Sequence, residues 1–282
     1  MTAVSDGATA VPSRPLRGLV RRYEGYRLSG FAPGSHVGMP SVDLTIILPI
    51  GPPLTISRTA MADQRPGEFG ALASGLGTEP VVIEHDGEQH GVQITVTPAG
   101  CRALLHVPPA ELRQYIVPLE DLLGRDAARL LDGVHAATGW REAFALLDRT
   151  LCARLGRAPQ PDARLERAWA RTTGPTAMSV EQVAAEVGWS RRRLETAFAS
   201  EYAVTPRDAV RLGRFARAHA MLRVAEPPRL AEVASVCGYF DQAHMARDWR
   251  ALAGSAPSVW RTNEVFASVQ DERTSAATGS TA

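Results

Sequence analysis

Between residues 16 and 97 the apolar positions come in short runs separated by Gly and Pro. Residues 43–50 read DLTIILPI, and further runs lie at 54–56, 81–84 and 92–96. Runs of this length, rich in β-branched residues, predict strands, and several at this spacing predict a sandwich or small barrel. His85, Asp86 and Gly87 separate two of these runs and predict a hairpin turn. After Pro98 the apolar period lengthens to that of a helix, over 100–107, 119–137 and 140–156, as in Ala143, Leu146, Leu147 and Leu151. Residues 154–164 (RLGRAPQPDAR) then lack a large apolar cluster and read as a linker, with a boundary near Pro159. The small polar segments 1–14 and 263–282 read as disordered tails.

Beyond the linker the pattern repeats. Val180, Val183, Ala184 and Val187 form the stripe of a short helix, and Leu230, Val233, Ala234 and Cys237 form it again. Each stripe ends at a glycine followed by an aromatic, Gly188-Trp189 and Gly238-Tyr239, as a left-handed C-terminal cap requires. Ser190 and Asp241 then stand as N-caps of second helices. The buried positions of those helices are Leu194, Ala197 and Phe198 in one, Met245, Trp249 and Leu252 in the other. The second turn holds one extra residue, Phe240. Each unit closes on a proline, Pro206 or Pro257. Helix, short turn, helix is the arrangement of a helix-turn-helix. Between the units, residues 206–222 read as one connecting helix with Val210, Phe215, Ala218 and Leu222 inward.

The run from VEQVAAEVGWSRRRLETAFASEYAVTP through RLGRFARAHAMLR to LAEVASVCGYFDQAHMARDWRALAGSAPSVWR resembles the DNA-binding domain of AraC/XylS-type transcription regulators, over about residues 165–261. Three positions depart from the family's pattern: Ala203 for a usual glycine, Ala209 for an aromatic, and Trp249 for a common Phe. The region from GYRLSGFAPGSHVGMPSVDLTIIL to GVQITVTPAGCRALLHVPPAEL is more loosely similar to cupin-like sensor domains. The resemblance implies an α+β two-domain chain. An N-terminal cupin-like β-barrel or sandwich with trailing helices (15–158) precedes an all-α double helix-turn-helix of seven helices (162–262) that sets two recognition helices into successive major-groove segments. It implies double-stranded DNA as partner, with a small-molecule effector, RNA polymerase and a second copy of the chain as further candidates. No enzyme activity and no cofactor are expected.

A helical wheel separates core from reader. With Leu194 and Phe198 inward, Arg192 and Thr196 face out and Glu195 lies at the edge; with Met245 and Trp249 inward, Ala243, Ala246, Arg247 and Arg250 face out, flanked by Gln242 and His244. Arg192 and Arg247 can fork onto guanine, Glu195 can accept from cytosine, Gln242 can pair with adenine, and Ala243 and Ala246 offer methyl contacts. Thr196 completes the base-reading set. Ser190, Arg191, Arg193, Arg211, Arg214, His244 and Arg250 are the phosphate candidates, which give register without sequence information.

Charge adds little. The net value is +1, but residues 161–262 hold 15 Arg against 11 Asp and Glu, so the basic excess lies in the C-terminal third. The chain contains no Lys; with abundant Ala this reads as GC-rich coding in a bacterial source. Three cysteines, Cys101, Cys152 and Cys237, are too widely spaced for a C-x-x-C pair, and with no 18-residue apolar run or basic-then-apolar leader the chain reads as cytoplasmic and away from membranes. The HDGEQHG segment brings His85 and His90 together with Glu84 and Glu88, yet the spacing matches no metal motif. Three readings of the N-terminal half remain: a small-molecule sensor, an enzyme-like metal-cupin or alkyl-transfer module, or a ligand-free interaction module.

Overall fold

The architecture is that of a computed structural model, which describes residues 3–156, 161–176, 178–224 and 226–263. Among the described residues, ten strands form two antiparallel sheets. In chain order they are β1 (Val4–Ala10), β2 (Val20–Ser29), β3 (Gly34–Gly38), β4 (Leu44–Pro49), β5 (Leu54–Arg58), β6 (Gly67–Phe69), β7 (Leu72–Ser74), β8 (Val81–His85), β9 (Gln89–Val96) and β10 (Ile116–Pro118). One sheet runs β1-β2-β9-β4-β7-β10 and the other β3-β8-β5-β6. The sheets face each other without closing into a barrel.

The larger sheet is buried on both faces, and alternation decides which residue serves which side. Leu44, Ile46 and Leu48 of β4 pair with Val96, Ile94 and Val92 of β9, and all six are buried toward the helices. The intervening Thr45, Ile47, Gln93 and Thr95 face the other sheet across a cavity. Leu54, Ile56, Leu72, Ile83 and Ile116 form a separate apolar cluster between the sheets.

The helices follow. A short α1 (Pro98–Gly100) runs into a π-helical turn over Cys101–Leu105, then come α2 (Pro109–Leu112), α3 (Leu119–Leu123), α4 (Arg125–Ala136) and α5 (Trp140–Ala153). Gly124, at φ 56°, breaks the expected single stretch 119–137 into α3 and α4. Leu130, Val134, Leu147 and Leu151 then cover the larger sheet. The C-terminal region holds α6 (Ala163–Thr173), α7 (Val180–Glu186), α8 (Arg191–Tyr202), α9 (Pro206–Leu222), α10 (Leu230–Val236), α11 (Gln242–Ala253) and α12 (Pro257–Asn263). These are the seven helices of the expected two-lobed domain.

Two sequence expectations are corrected. Within the expected tail 1–14, the described residues 3–14 are not disordered: β1 pairs along its whole length with β2, from Val4 opposite Ser29 to Ala10 opposite Tyr23. Ser13 N–H donates to the Asp148 carboxylate at 3.1 Å, which ties the following segment to α5. The reason is that backbone pairing to a neighbouring strand orders a polar, small-residue segment that local composition reads as loose. Nor is 85–87 a hairpin turn. β8 pairs with β3 and β5 whereas β9 pairs with β2 and β4, so the turn carries the chain from one sheet to the other. Gly87 is required there: a Cβ would lie 2.1 Å from the Phe31 carbonyl oxygen. Pro159 and residues 264–282 lie outside the described residues, and the linker's first residue, Arg154, is anchored by hydrogen bonds to Leu104 O and Asp126.

Candidate nucleic-acid interface and adjoining cavity

Both helix-turn-helix units are built by local sequence chemistry. Gly188 and Gly238 take φ values of 67° and 80°, which turn the chain after α7 and α10. Ser190 Oγ accepts from Arg193 N–H, and Asp241 Oδ1 accepts from His244 N–H, so both second helices start at the expected caps. Trp189 and Tyr239 are buried behind the turns. Leu194, Phe198, Met245, Trp249 and Leu252 are buried as the wheel requires, and α9 spans the expected 206–222 with Val210, Phe215, Ala218 and Leu222 inward.

The expected reading positions divide into three groups. Arg192, Glu195, Thr196, Gln242, Ala243, Arg247 and Arg250 are exposed, and Ala246 is half-buried. Among the described residues Arg192, Arg247 and Arg250 make no side-chain hydrogen bond or ion pair, so their guanidiniums stand open to a ligand. Arg191 is engaged with Glu195 at 2.9 Å and with Glu181 at 3.5 Å, so the cytosine acceptor and a phosphate candidate neutralise each other in the free protein. Arg193 lies 4.8 Å over the Trp189 ring, with Arg164 5.2 Å from the same ring.

Other candidates are turned inward. Arg211 Nε donates to Asp248 at 3.0 Å, half-buried, which links α9 to α11. The His244 ring accepts from Phe240 N–H through Nδ1 at 3.3 Å and points Nε2 toward Asp248. Arg214 is half-buried beside Gly238, with its Nε enclosed. These three support the second unit from behind rather than presenting charge on its open face.

The cavity between the sheets has a volume of ≈390 Å³ and is walled in part by the C-terminal region: Ala216, His219, Ala220 and Arg223 of α9 and its extension, with Trp260 of α12. Tyr26, Met39, Val42, Ile47 and Ile56 give it an apolar lining. At one corner Arg22 pairs with the buried Glu24 at 2.8 Å. Burial beside Arg22 brings the Arg223 guanidinium down to about 10, against the pull of Glu24. The carboxyls of Asp43 and Glu79 line the same cavity, and burial raises the Asp43 carboxyl against the pull of Arg21 and Arg22. His219 is brought down to about 3 by burial next to Arg223, and His36 to about 4 by burial next to His85, so both are neutral at ordinary pH.

The metal and cysteine possibilities find different settings. His85 stands on β8 next to His36, with ring centroids 5.8 Å apart, while His90 on β9 meets Trp140 at 5.4 Å; the two sheets separate them. Cys101 is buried, its thiol pushed up to about 12 by burial, and its Sγ donates to Val107 O at 3.3 Å. A thiol so protonated is a poor nucleophile.

Sequence reasoning missed one contact between the halves. Arg102 of the π turn grips the buried Glu201 near the end of α8 with two hydrogen bonds, Nε to Oε1 at 2.6 Å. The partners are 99 residues apart and carry no local signal.

Residues 183–263 match a family model described as a helix-turn-helix domain. No curated protein sequence matches the chain. Among solved structures, ToxT from Vibrio cholerae superposes with a TM-score of 0.51 at 11% identity, over 86% of this chain and 98% of that chain. ToxT from Vibrio cholerae O395 bound to (E)-4-(8-methylnaphthalen-1-yl)but-3-enoic acid gives 0.52 at 11% identity, over 86% and 98%. Unsaturated-fatty-acid-bound wild-type ToxT from Vibrio cholerae strain SCE256 gives 0.50 at 9% identity, over 92% and 94%. No helix among the described residues is long and apolar enough to cross a membrane. Residues 183–263 thus carry a helix-turn-helix domain, and the chain shares its fold with ToxT.

Proposed function

We propose that this protein is an AraC-type DNA-binding transcription regulator, which senses a small molecule in the cavity between its sheets and reads a bipartite DNA site with α8 and α11. The observation that carries the reading is a shared wall: α9, on which both helix-turn-helix units are built, also lines the cavity. A ligand there touches the reader directly. The apolar patch of Tyr26, Met39, Val42, Ile47 and Ile56, with the Arg22 and Arg223 guanidiniums in the same lining, suits an elongated apolar molecule ending in an anion. The ligands named in the ToxT structures are of that kind. The sensing part corresponds to residues 15–158 joined by β1, and the reader to 162–262.

In the reader, Arg192 and Arg247 are the primary base contacts, with Glu195, Thr196, Gln242, Ala243 and Ala246 around them. Ser190, Arg191, Arg193 and Arg250 meet phosphate. Selection of DNA from a random pool by the full chain should enrich two short elements about one helical turn apart, ~34 Å along the axis. Arg192→Ala and Arg247→Ala should each relax one base position, each contact being worth roughly 1–3 kcal/mol of discrimination. An unsaturated fatty acid should change the measured affinity for that site, and its alcohol analogue should not. Enrichment of no sequence would overturn DNA reading; an unchanged affinity with the acid would overturn the ligand class alone.

A further inference from the structure

The two helix-turn-helix units meet on α9, and one side chain of that helix joins them. Arg217, half-buried in the middle of α9, donates from Nη1 to the carbonyl oxygens of Thr173 (3.3 Å) and Gly174. From Nη2 it donates to Cys237 O at 3.2 Å. Thr173 is the last residue of α6, Gly174 is its C-cap, and Cys237 is the C-cap of α10. These are helix carboxyl ends, where carbonyls lack intrahelical partners and partial negative charge accumulates. A cation placed between two such ends satisfies at once acceptors of α10 in the second unit and of α6, on which the first unit's α7 packs. One turn earlier, Gly213 lets α6 approach: a Cβ there would lie 2.7 Å from the Thr173 Cα.

We infer that Arg217 is a positioning residue that fixes the spacing and rotational phase of the two base-reading helices; the inference rests on the two-reader function proposed above. α7 packs on α6 and leads into α8, while α10 leads into α11 through the turn at 238–241. The clamp between the ends of α6 and α10 therefore sets the frame from which both readers project. Successive base pairs are ~3.4 Å apart along a strand and a full turn takes ~10 of them. A few ångströms of slack at the clamp would let one reader reach the neighbouring base pair. Arginine suits the task because its planar fork presents donors in two directions, whereas a lysine ammonium is a point charge.

The test compares the affinity of the full chain for its selected site with that for sites whose spacer is one base pair shorter or longer. The unsubstituted chain should lose about tenfold or more at each altered spacer, as for a mismatch within a site. Arg217→Met should bind the native site more weakly but lose less than about threefold on changing the spacer, with the base preference within each element intact. Arg217→Lys should fall between the two. An Arg217→Met chain that keeps the parent's spacer ratio, whatever its absolute affinity, would overturn the assignment, because weakened folding lowers all sites alike. A parent that selects two elements yet ignores their spacing would overturn it too. Selection of a single element by the parent would instead defeat the two-reader function itself.

Discussion

The two helix-turn-helix units share a pattern but are attached to the rest of the chain by different physics. The core of the first, with Leu194, Phe198 and Tyr202, is continuous with the apolar core of the N-terminal half, and a bidentate Arg102–Glu201 pair pins the end of α8 to it. The second has a core of its own, in which Trp249 meets Phe215 at 4.8 Å and Trp260 at 5.4 Å. It meets the N-terminal half through Met39 and Val42, which pack against that core, and through His219, Arg223 and Trp260, which wall the cavity. One unit is fastened by a continuous core and a charge pair; the other touches the N-terminal half at two side chains and borders a space that a ligand can fill. The second unit is therefore the one placed to respond to an occupant of that cavity.

The hardest test of that distinction is to remove one core residue from each unit. Trp249→Ala should cost roughly 3–5 kcal/mol and, the second core being separate, should split chemical unfolding into two transitions. The selected DNA should then retain only one of its two elements. Phe198→Ala should cost a similar amount, also roughly 3–5 kcal/mol, but within a single transition. Single transitions in both variants would show that the cores unfold together and that the distinction has no energetic meaning. Next in size is Arg102→Ala, which strands the buried Glu201 carboxylate. Leaving a buried charge without its partner costs about 3 kcal/mol. A urea midpoint unchanged from the parent would mean that the pair adds nothing to the join.

The units differ also in how far the sequence revealed them. Caps, turn glycines and 3.6-residue stripes are local, so α7 to α11 and their buried faces were legible position by position, and Pro206 marked the start of α9. β1 was not legible, because VSDGATA has no apolar alternation and is ordered by its pairing with β2. The turn at 85–87 was legible as a turn, yet no local feature says which sheet the next strand joins. Inward rotation of Arg211, Arg214 and His244 was hidden for the same reason: each finds its setting on a neighbouring element. Arg217 was hidden most deeply. Its acceptors are main-chain carbonyls 43, 44 and 20 residues away, which no side-chain pattern announces.

A smaller effect follows from histidine. The first unit, residues 162–205, contains none, while His219 lies behind the second unit and His36 in the cavity wall. Their folded values, about 3 and about 4, lie below the ordinary 6.5. Below pH ~6.5 the unfolded chain binds protons that the folded chain refuses, so stability falls as pH drops toward 4 and is level above 7. Each histidine contributes a slope of up to ~1.4 kcal/mol per pH unit. Urea midpoints measured from pH 7.5 down to 4.5 should fall accordingly, and His219→Phe should flatten the fall. A slope identical in parent and variant would place the acid sensitivity outside the second unit.

The smallest effect is the sharpest comparison, because it is one position in each repeat. α8 ends at Ala203 with φ 55°, and α11 ends at Gly254 with φ 75°. Both residues are left-handed, but only glycine takes that conformation without a clash between Cβ and the carbonyl, a difference of roughly 1 kcal/mol. Ala203→Gly should therefore raise stability by somewhat less than that, since glycine also loosens the unfolded chain. Gly254→Ala should lower it by a similar amount: its Cβ would meet only the Arg58 guanidinium at 3.6 Å, an ordinary contact. Opposite signs from the two substitutions would mean that the caps obey the same backbone rule and that α8 carries its strain because its core and Glu201 hold it in place. Equal signs would mean that the N-terminal half has relieved Ala203 of that cost, and the difference between the units would then extend to the backbone itself.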